Sequence, residues 1–336
     1  MEATDPLGGS SLLIIMPGDY GIRDAFVANL KHLGSRHRVV SCNYYPCSMN
    51  FGQKVLRVFR KMIGDSGYRK RFQKQNDMVK MLEHIGPDTF DYVLCIRPDL
   101  LTFEALDRIK SRARRCFGYT WDGLSRFEGT LERRKYFEKL HVFDLKDAKP
   151  EEGMPVLGNF YFDCYPELLP KLNLPAADVY YIGSYDSRWP MVEKICNEMI
   201  AAGLQPDVQQ FARRHRDHVN LPRYAKAFYS HKPYVQALAE AVRCRAILDI
   251  HQVAVHNGFS FRVFEAIGYG LKLVTTNPLV LDQDFYRSAN IYCLGNDART
   301  LADFIAEPLE PLPEAVRLRY GFKAWIRRAL DLPALH

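Results

Sequence analysis

The stretch from Asn257 to Asn277 reads Asn-Gly-Phe-Ser-Phe-Arg-Val-Phe-Glu-Ala-Ile-Gly-Tyr-Gly-Leu-Lys-Leu-Val-Thr-Thr-Asn. A loop with Gly258 and Ser260 leads into a short apolar helix, Gly270 is placed to end it in a left-handed cap, and a strand follows at once. Free N–H groups at such a helix start suit a diphosphate, and Glu265 can accept both hydroxyls of a ribose. The stretch therefore predicts a nucleotide pocket at a loop-to-helix turn in an α/β protein.

Strands and helices also alternate around this stretch. The sequence predicts strands at 179–182, 246–250, 272–276 and 291–294, with a helix from about Trp189 to Ala202 after the first of them. Apolar strands of this kind are typical of a parallel sheet covered by helices on both faces, where ligands gather beyond the carboxyl ends of the strands. The C-terminal half is therefore predicted to be one Rossmann-like domain.

The N-terminal half has the same alternation, with predicted strands at 12–16, 38–41, 91–96, 116–119 and 140–143. A chain of 336 residues exceeds what one core usually organises. Pro166, Pro170 and Pro175 interrupt any regular element between the halves. We predict an N-terminal Rossmann-like domain at 1–165, a linker at 166–176, a C-terminal Rossmann-like domain at 177–310, and a C-terminal helix at 311–336 that crosses back to the first domain.

A second motif begins the C-terminal half, where Tyr180-Tyr-Ile-Gly183-Ser184 is followed four residues later by Arg188. A planar guanidinium at such a turn can bind phosphate oxygens through two parallel hydrogen bonds. An ordinary strand-to-helix turn with a solvated arginine would give the same pattern.

The Glu265 motif resembles the retaining glycosyltransferases of the large family 4, which carry two glutamates separated by seven residues before an Ala-x-x-x-Gly helix end. Glu265 matches the second glutamate, which binds the ribose in that family, and Asn257 stands at the first position. A third motif, Phe117-Gly-Tyr-Thr-Trp-Asp-Gly-Leu-Ser-Arg126, follows the turn Arg97-Pro98-Asp99 and precedes Val142-Phe-Asp-Leu-Lys-Asp147. Together with the Gly183 and Glu265 stretches, this order across about residues 88 to 295 is similar to a group of bacterial proteins of lipopolysaccharide and capsule synthesis.

The resemblance implies a GT-B fold, in which two Rossmann-like domains face each other across a cleft. It also implies transfer of a hexosyl or related sugar from a nucleotide sugar to a surface-polysaccharide or lipid-linked glycan acceptor. Together with the two motifs it predicts these donor-binding residues: Gly183, Ser184, Arg188, Asn257, Gly258, Phe259, Ser260, Phe261, Arg262 and Glu265.

Three residues are candidates for catalysis. Asp122 follows a predicted strand of the first domain and would take the acceptor proton in an inverting transfer, with Asp19 as second choice. His251, at the end of a strand just before the Glu265 motif, could reach the donor. Asp122 is equally well explained as a turn residue, His251 as a structural histidine, and a retaining reaction would need neither aspartate as base. Since no metal-ligand constellation is visible, we expect neither a metal nor a cofactor beyond the donor.

The positive charge is concentrated between Lys54 and Lys74, where eight basic residues face only Asp65. This segment, or a similar one at 316–330, would suit an anionic membrane surface or a lipid-diphosphate acceptor, although a solvated helix face is also consistent. No apolar run approaches the roughly 20 residues of a membrane span, and the N-terminus is no basic leader. We therefore expect a cytoplasmic protein with peripheral contact at the inner face of the membrane, and no nucleic-acid partner.

Two other functions remain open at this stage. A nucleotide-sugar epimerase can share the fold, and a non-catalytic nucleotide-binding partner in a glycan-assembly complex would explain the missing first glutamate. A dinucleotide-dependent dehydrogenase is disfavoured because no predicted strand is followed by Gly-x-Gly-x-x-Gly.

Overall fold

A computed structural model describes residues 5–18, 21–127, 129–165, 175–212, 221–230, 232–251 and 257–333. Two parallel β-sheets organise this part of the chain, one in each half.

The first sheet has the strand order β2-β1-β3-β4-β5, and every strand pairing in it is parallel. Its strands are β1 (Leu12–Met16), β2 (His37–Ser41), β3 (Phe90–Ile96), β4 (Ala113–Tyr119) and β5 (Lys139–His141). The helices of this half are α1 (Ile22–His32), α2 (Phe51–Met62), α3 (Tyr68–Ile85) and α4 (Phe103–Lys110). All five residues of β1 are fully buried, as expected for a central strand covered on both faces.

The second sheet has the order β11-β10-β9-β6-β7-β8, again with parallel pairings. Its strands are β6 (Ala177–Ser184), β7 (Pro206–Phe211), β8 (Ala225–Phe228), β9 (Cys244–Asp249), β10 (Lys272–Thr275) and β11 (Ile291–Cys293). The helices are α5 (Trp189–Ala201), α6 (Tyr234–Ala241), α7 (Phe261–Tyr269), α8 (Leu301–Ala306), α9 (Glu314–Arg319) and α10 (Phe322–Ala329). This is the Rossmann strand order, whose direction reverses between β6 and β9.

Two strands of the second sheet are absent from the sequence prediction. In β7, Gln209 and Gln210 are buried, so polar residues stand where the apolar pattern of an inner strand is expected. Strand β8 is a four-residue edge strand with no buried residue. Neither strand has the apolar run that marks a buried parallel strand.

The C-terminal stretch forms two helices, α9 and α10, where the sequence predicts one. Tyr320 and Gly321 separate the two helices, and an added Cβ at Gly321 would overlap the carboxylate of Asp163. Short 3-10 helices occur at Pro98–Leu100, Leu124–Arg126, Leu131–Tyr136, Leu145–Asp147, Pro150–Glu152 and Pro278–Asp282.

Aromatic side chains join the two halves along the segment 157–165, which leads from the first half toward the second. The Phe160 ring lies 4.4 Å from Trp325 of α10 and 5.3 Å from Phe261 of α7, measured between ring centroids. The indole N–H of Trp325 donates to the carbonyl of Gly158 at 3.0 Å, and the His141 ring contacts the carbonyl oxygen of Ala329 at 3.1 Å. Helix α10 is thereby fixed to the first half of the chain.

No helix in the described ranges is both long enough and apolar enough to cross a membrane.

Gly268→Ala is expected to destabilise the protein, because Gly268 of α7 packs against the ring of Tyr161 and an added Cβ would overlap it. The expected loss in free energy of unfolding is about 1–3 kcal/mol, measured by urea denaturation. Gly158→Ala is the matched control, since its new methyl group would meet Phe264 at an ordinary 3.8 Å. Equal stability of the two variants would contradict this tight packing.

Candidate functional site

The carboxyl ends of the two sheets meet at one edge of the molecule. Gly21, after β1, lies against Pro233 at the start of α6. Asp144, after β5, accepts a hydrogen bond from the backbone N–H of Asn257 at 3.0 Å. The Phe143 ring occupies the space that a side chain at position 258 would need. These contacts bring the loop before α7 against the first half of the chain.

A cavity of about 280 Å³ opens between the halves at this edge. It is close to the smallest pockets that hold a small ligand. Side chains of β6, α6 and α7 line it, and Ile22 of α1 closes it from the first half. Its lining includes Ile22, Tyr180, Ile182, Tyr234, Ser260, Phe261, Arg262 and Glu265.

Glu265 places a carboxylate in this cavity although the residue is only 8% exposed. Burial raises the pKa of Glu265, whereas the Tyr234 hydroxyl and the Arg262 guanidinium act in the opposite direction. Burial, and then the charge of Glu265, raise the pKa of Tyr234. In the described part of the chain the Tyr234 hydroxyl has no partner with full hydrogen-bond geometry, although it lies near the carboxylate. The cavity thus holds a carboxylate that additional donors would stabilise.

Asp249, at the carboxyl end of β9, organises the start of α7. Its carboxylate accepts hydrogen bonds from the hydroxyls of Ser260 at 2.7 Å and Thr275 at 3.1 Å. Arg262 lies 3.6 Å from the same carboxylate and also donates to the carbonyl of Ile182. Because the Ser260 hydroxyl is turned toward Asp249, no side chain caps α7. The N–H groups of Phe261 and Arg262 in the first turn therefore have no side-chain cap, whereas Val263 donates its N–H to the carbonyl of Ser260 at 3.2 Å.

The turn after β6 lies beside this network. Gly183 makes room for the side chain of Tyr181, whose hydroxyl an added Cβ would hit. Arg188 binds Asp186 through Nε at 2.9 Å and Nη2 at 2.7 Å, which leaves Nη1 for another acceptor. Burial raises the pKa of Tyr181, and the positive charges of Arg262 and Arg188 offset part of this increase.

The structure brings part of the predicted donor set together. Ser260, Phe261, Arg262 and Glu265 line the cavity. The turn with Gly183, Ser184 and Arg188 is adjacent, since Arg262 reaches the carbonyl of Ile182.

Asn257, Gly258 and Phe259 are held by the first half of the chain instead. Asn257 donates its N–H to Asp144, Gly258 packs on Phe143, and the carbonyl of Phe259 accepts from the Asn159 amide at 3.1 Å. Their predicted contact with a donor stays a prediction.

The three predicted catalytic residues are less closely grouped. Asp122, beyond the end of β4, accepts from the N–H of Gly123 at 3.0 Å and pairs with Arg126. It is not part of the described cavity lining. His251 follows β9 and donates its backbone N–H to the Thr276 hydroxyl at 2.8 Å. Asp19 lies outside the described residues.

Sequence reasoning missed Tyr234 and did not assign a role to Asp249 or Tyr181. Asp249 ends an apolar strand next to the point where the strand order reverses, so the sheet order would have identified it. Tyr234 begins a short helix after Pro233, and no sequence pattern connects it with Glu265, 31 positions later.

No family model matches the chain, and no curated protein matches it either. Solved structures are similar in fold. The glycosyltransferase AviGT4, involved in avilamycin A biosynthesis, matches with a TM-score of 0.54 and 11% identity over 96% of each chain. The glycotransferase of kitacinnamycin gives a TM-score of 0.45 and 13% identity over 96% of this chain and 99% of that one.

The catalytic domain of starch synthase IV from Arabidopsis thaliana, bound to ADP and acarbose, gives a TM-score of 0.45 and 8% identity, covering 98% and 96% of the two chains. At such low identity these likenesses concern the fold alone. Together with the two parallel sheets and their meeting edges, the similarity to AviGT4 shows that this chain has the GT-B fold of two Rossmann-like domains.

Proposed function

We propose that this protein is a glycosyltransferase that binds a nucleotide-sugar donor in the cavity between its two halves. The observation that carries the proposal is the buried Glu265 carboxylate in a cavity at the β6–β9 reversal point of the second sheet. Such reversal points are where Rossmann-like sheets bind nucleotides. The pair of ribose hydroxyls would give Glu265 the donors that a buried carboxylate requires.

The donor diphosphate is proposed to lie at the start of α7. The uncapped N–H groups of Phe261 and Arg262 and the positive end of the helix dipole favour an anion there. Asp249 would repel it, but hydrogen bonds from Ser260 and Thr275 and the charge of Arg262 offset that carboxylate. With Nη1 of Arg188 nearby, a leaving diphosphate could be neutralised by protein groups, so the proposal includes no metal.

The acceptor is proposed to approach from the first domain, whose strand ends face the same cleft. A growing surface polysaccharide or a lipid-linked glycan is the class that the resemblance to lipopolysaccharide and capsule enzymes favours. In an inverting transfer, the acceptor hydroxyl oxygen would bond to the anomeric carbon as the bond between the sugar and the diphosphate breaks, and Asp122 would accept the hydroxyl proton. Arg126 would have to release part of the Asp122 carboxylate when the acceptor binds.

Glu265→Gln is expected to weaken binding of the cognate nucleoside diphosphate about 10- to 100-fold, because the amide loses the charge that strengthens the ribose hydrogen bonds. Isothermal titration of UDP, GDP and ADP against the natural protein first identifies the nucleotide. Glu198→Gln, on the exposed face of α5, removes the same charge outside the cavity and should leave the affinity unchanged. Equal affinity in the natural protein and Glu265→Gln would remove Glu265 from the donor site.

Asp122→Asn is expected to lower the rate of nucleoside diphosphate release about 10²- to 10⁴-fold without weakening nucleotide binding, because it removes the proposed base. The assay measures hydrolysis of the matching nucleotide sugar without an added acceptor, so that water takes the acceptor's place. Asp282→Asn, at an exposed aspartate that does not line the cavity, is the control. An unchanged rate in Asp122→Asn would contradict its role as base.

The same assay separates the alternative functions. Interconversion of the free nucleotide sugar without release of nucleoside diphosphate would indicate an epimerase. Tight nucleotide binding with no turnover of any donor would indicate a non-catalytic partner in a glycan-assembly complex.

A further inference from the structure

Helix α2 lies on the surface almost without tertiary packing. None of its twelve residues is buried, and even its most covered apolar side chain, Leu56, is 40% accessible. Its apolar side chains are among the most exposed in the described chain, with Phe51 83% and Met62 73% accessible. An exposed apolar patch of this kind on a folded protein marks an interaction surface.

The side chains of α2 are sorted into two opposite faces. At 100° per residue, one arc holds only apolar side chains, and the opposite arc holds only basic and amide side chains. The apolar face consists of Phe51, Val55, Leu56, Val58, Phe59 and Met62; the basic face consists of Lys54, Arg57, Arg60 and Lys61. No acidic residue occurs in the helix.

Local interactions define the helix start. The side chain of Asn50 accepts from the N–H of Gln53, and the side chain of Gln53 accepts from the N–H of Asn50, both at 2.9 Å. This reciprocal capping box satisfies two N–H groups that would otherwise lack partners. The helix is thus ordered without burying its apolar face.

The positive charge around α2 is largely uncompensated. Asp65, which pairs with Arg60 and Arg71, is the one acidic residue among eight basic ones between 54 and 74. Lys54, Arg57 and Arg69 converge on a pocket of about 310 Å³ between α2 and α3. The described lining of this pocket contains no acidic side chain. An anionic partner would therefore gain attraction along the whole basic face.

We propose that α2 is a membrane-surface helix that docks this protein on an anionic lipid bilayer. The apolar face would lie at the boundary between headgroups and acyl chains, and the basic residues would contact lipid phosphates. This combination of a fully apolar arc with an arc of lysine and arginine fits an interfacial helix. A protein partner would need an apolar groove rimmed with acids, whereas a bilayer supplies both features along the length of the helix.

The position of α2 relates this surface to the cleft. Helix α3 runs antiparallel to β2 and β3, because Arg38 at the start of β2 binds the carbonyl of Ile85 while Lys74 donates to the carbonyl of Asp99 beyond β3. The basic start of α3, and α2 before it, therefore lie toward the carboxyl ends of the first sheet. Docking through α2 would hold the acceptor side of the cleft near the bilayer surface.

The test is sedimentation of the full chain with vesicles of phosphatidylcholine containing about one third phosphatidylglycerol, compared with phosphatidylcholine alone. We expect binding to the anionic vesicles that weakens as salt is added. Removing three charges in Lys54→Gln/Arg57→Gln/Lys61→Gln should weaken it on the order of a hundredfold. Removing three apolar groups in Val58→Ser/Phe59→Ser/Met62→Ser should weaken it at least about tenfold.

Matched controls change the same chemistry elsewhere on the surface. Arg108→Gln/Lys110→Gln/Lys194→Gln removes three exposed charges, and Leu131→Ser/Met191→Ser/Ile200→Ser removes three exposed apolar groups. Both should bind vesicles like the natural protein.

Three results would overturn the proposal: no binding to anionic vesicles, equal loss in the controls, or a dimer in sedimentation velocity that the apolar α2 variant dissociates. A dimer of that kind would show that a second copy of the chain covers this face. Circular dichroism of each variant verifies folding, and none of these readouts depends on nucleotide binding or glycosyl transfer.

Discussion

The packing of aromatic rings around Phe160 is the interaction on which the rest of this structure depends. Phe160 contacts Phe26 of α1, Phe261 of α7 and Trp325 of α10, so one side chain joins helices from both halves. Each such aromatic pair contributes about 0.5–1.5 kcal/mol beyond the area that it buries. Because Phe261 begins α7, this packing also fixes the helix start against the first half, and the cavity lies beside that contact.

Two carboxylates are buried beside this packed start of α7. Glu265 and Asp249 are both nearly inaccessible, and the positive charge of Arg262 acts on both carboxylates. Keeping two carboxylates in such a place costs stability unless donors satisfy them. Ser260 and Thr275 satisfy Asp249, whereas Glu265 faces the cavity. A ligand with two adjacent hydroxyls and a diphosphate would satisfy both this carboxylate and the helix start.

The sequence indicated much of the fold because its buried strands are apolar runs. The predicted strands at 12–16, 91–96 and 246–250 correspond to the inner strands Leu12–Met16, Phe90–Ile96 and Cys244–Asp249, and the two-domain GT-B fold is confirmed. Strands β7 and β8 were not predicted, because β7 buries two glutamines and β8 is an exposed edge strand, so neither shows an apolar run. Ser260, Phe261, Arg262 and Glu265 lie in one short segment at a loop-to-helix turn that the sequence predicted, and they line one cavity. Their contact with a donor stays a prediction. Tyr234 lines the cavity and Asp144 binds the N–H of Asn257 only because of tertiary packing. No local sequence pattern indicates either contact.

The most direct measurement of the central claim is a crystal structure of this protein with the nucleoside diphosphate that binds most tightly in solution. The account predicts both ribose hydroxyls within hydrogen-bond distance of the Glu265 carboxylate, about 2.5–3.0 Å between oxygens, and the diphosphate at the first turn of α7. A nucleotide bound away from this cavity, or one whose ribose makes no contact with Glu265, would contradict it.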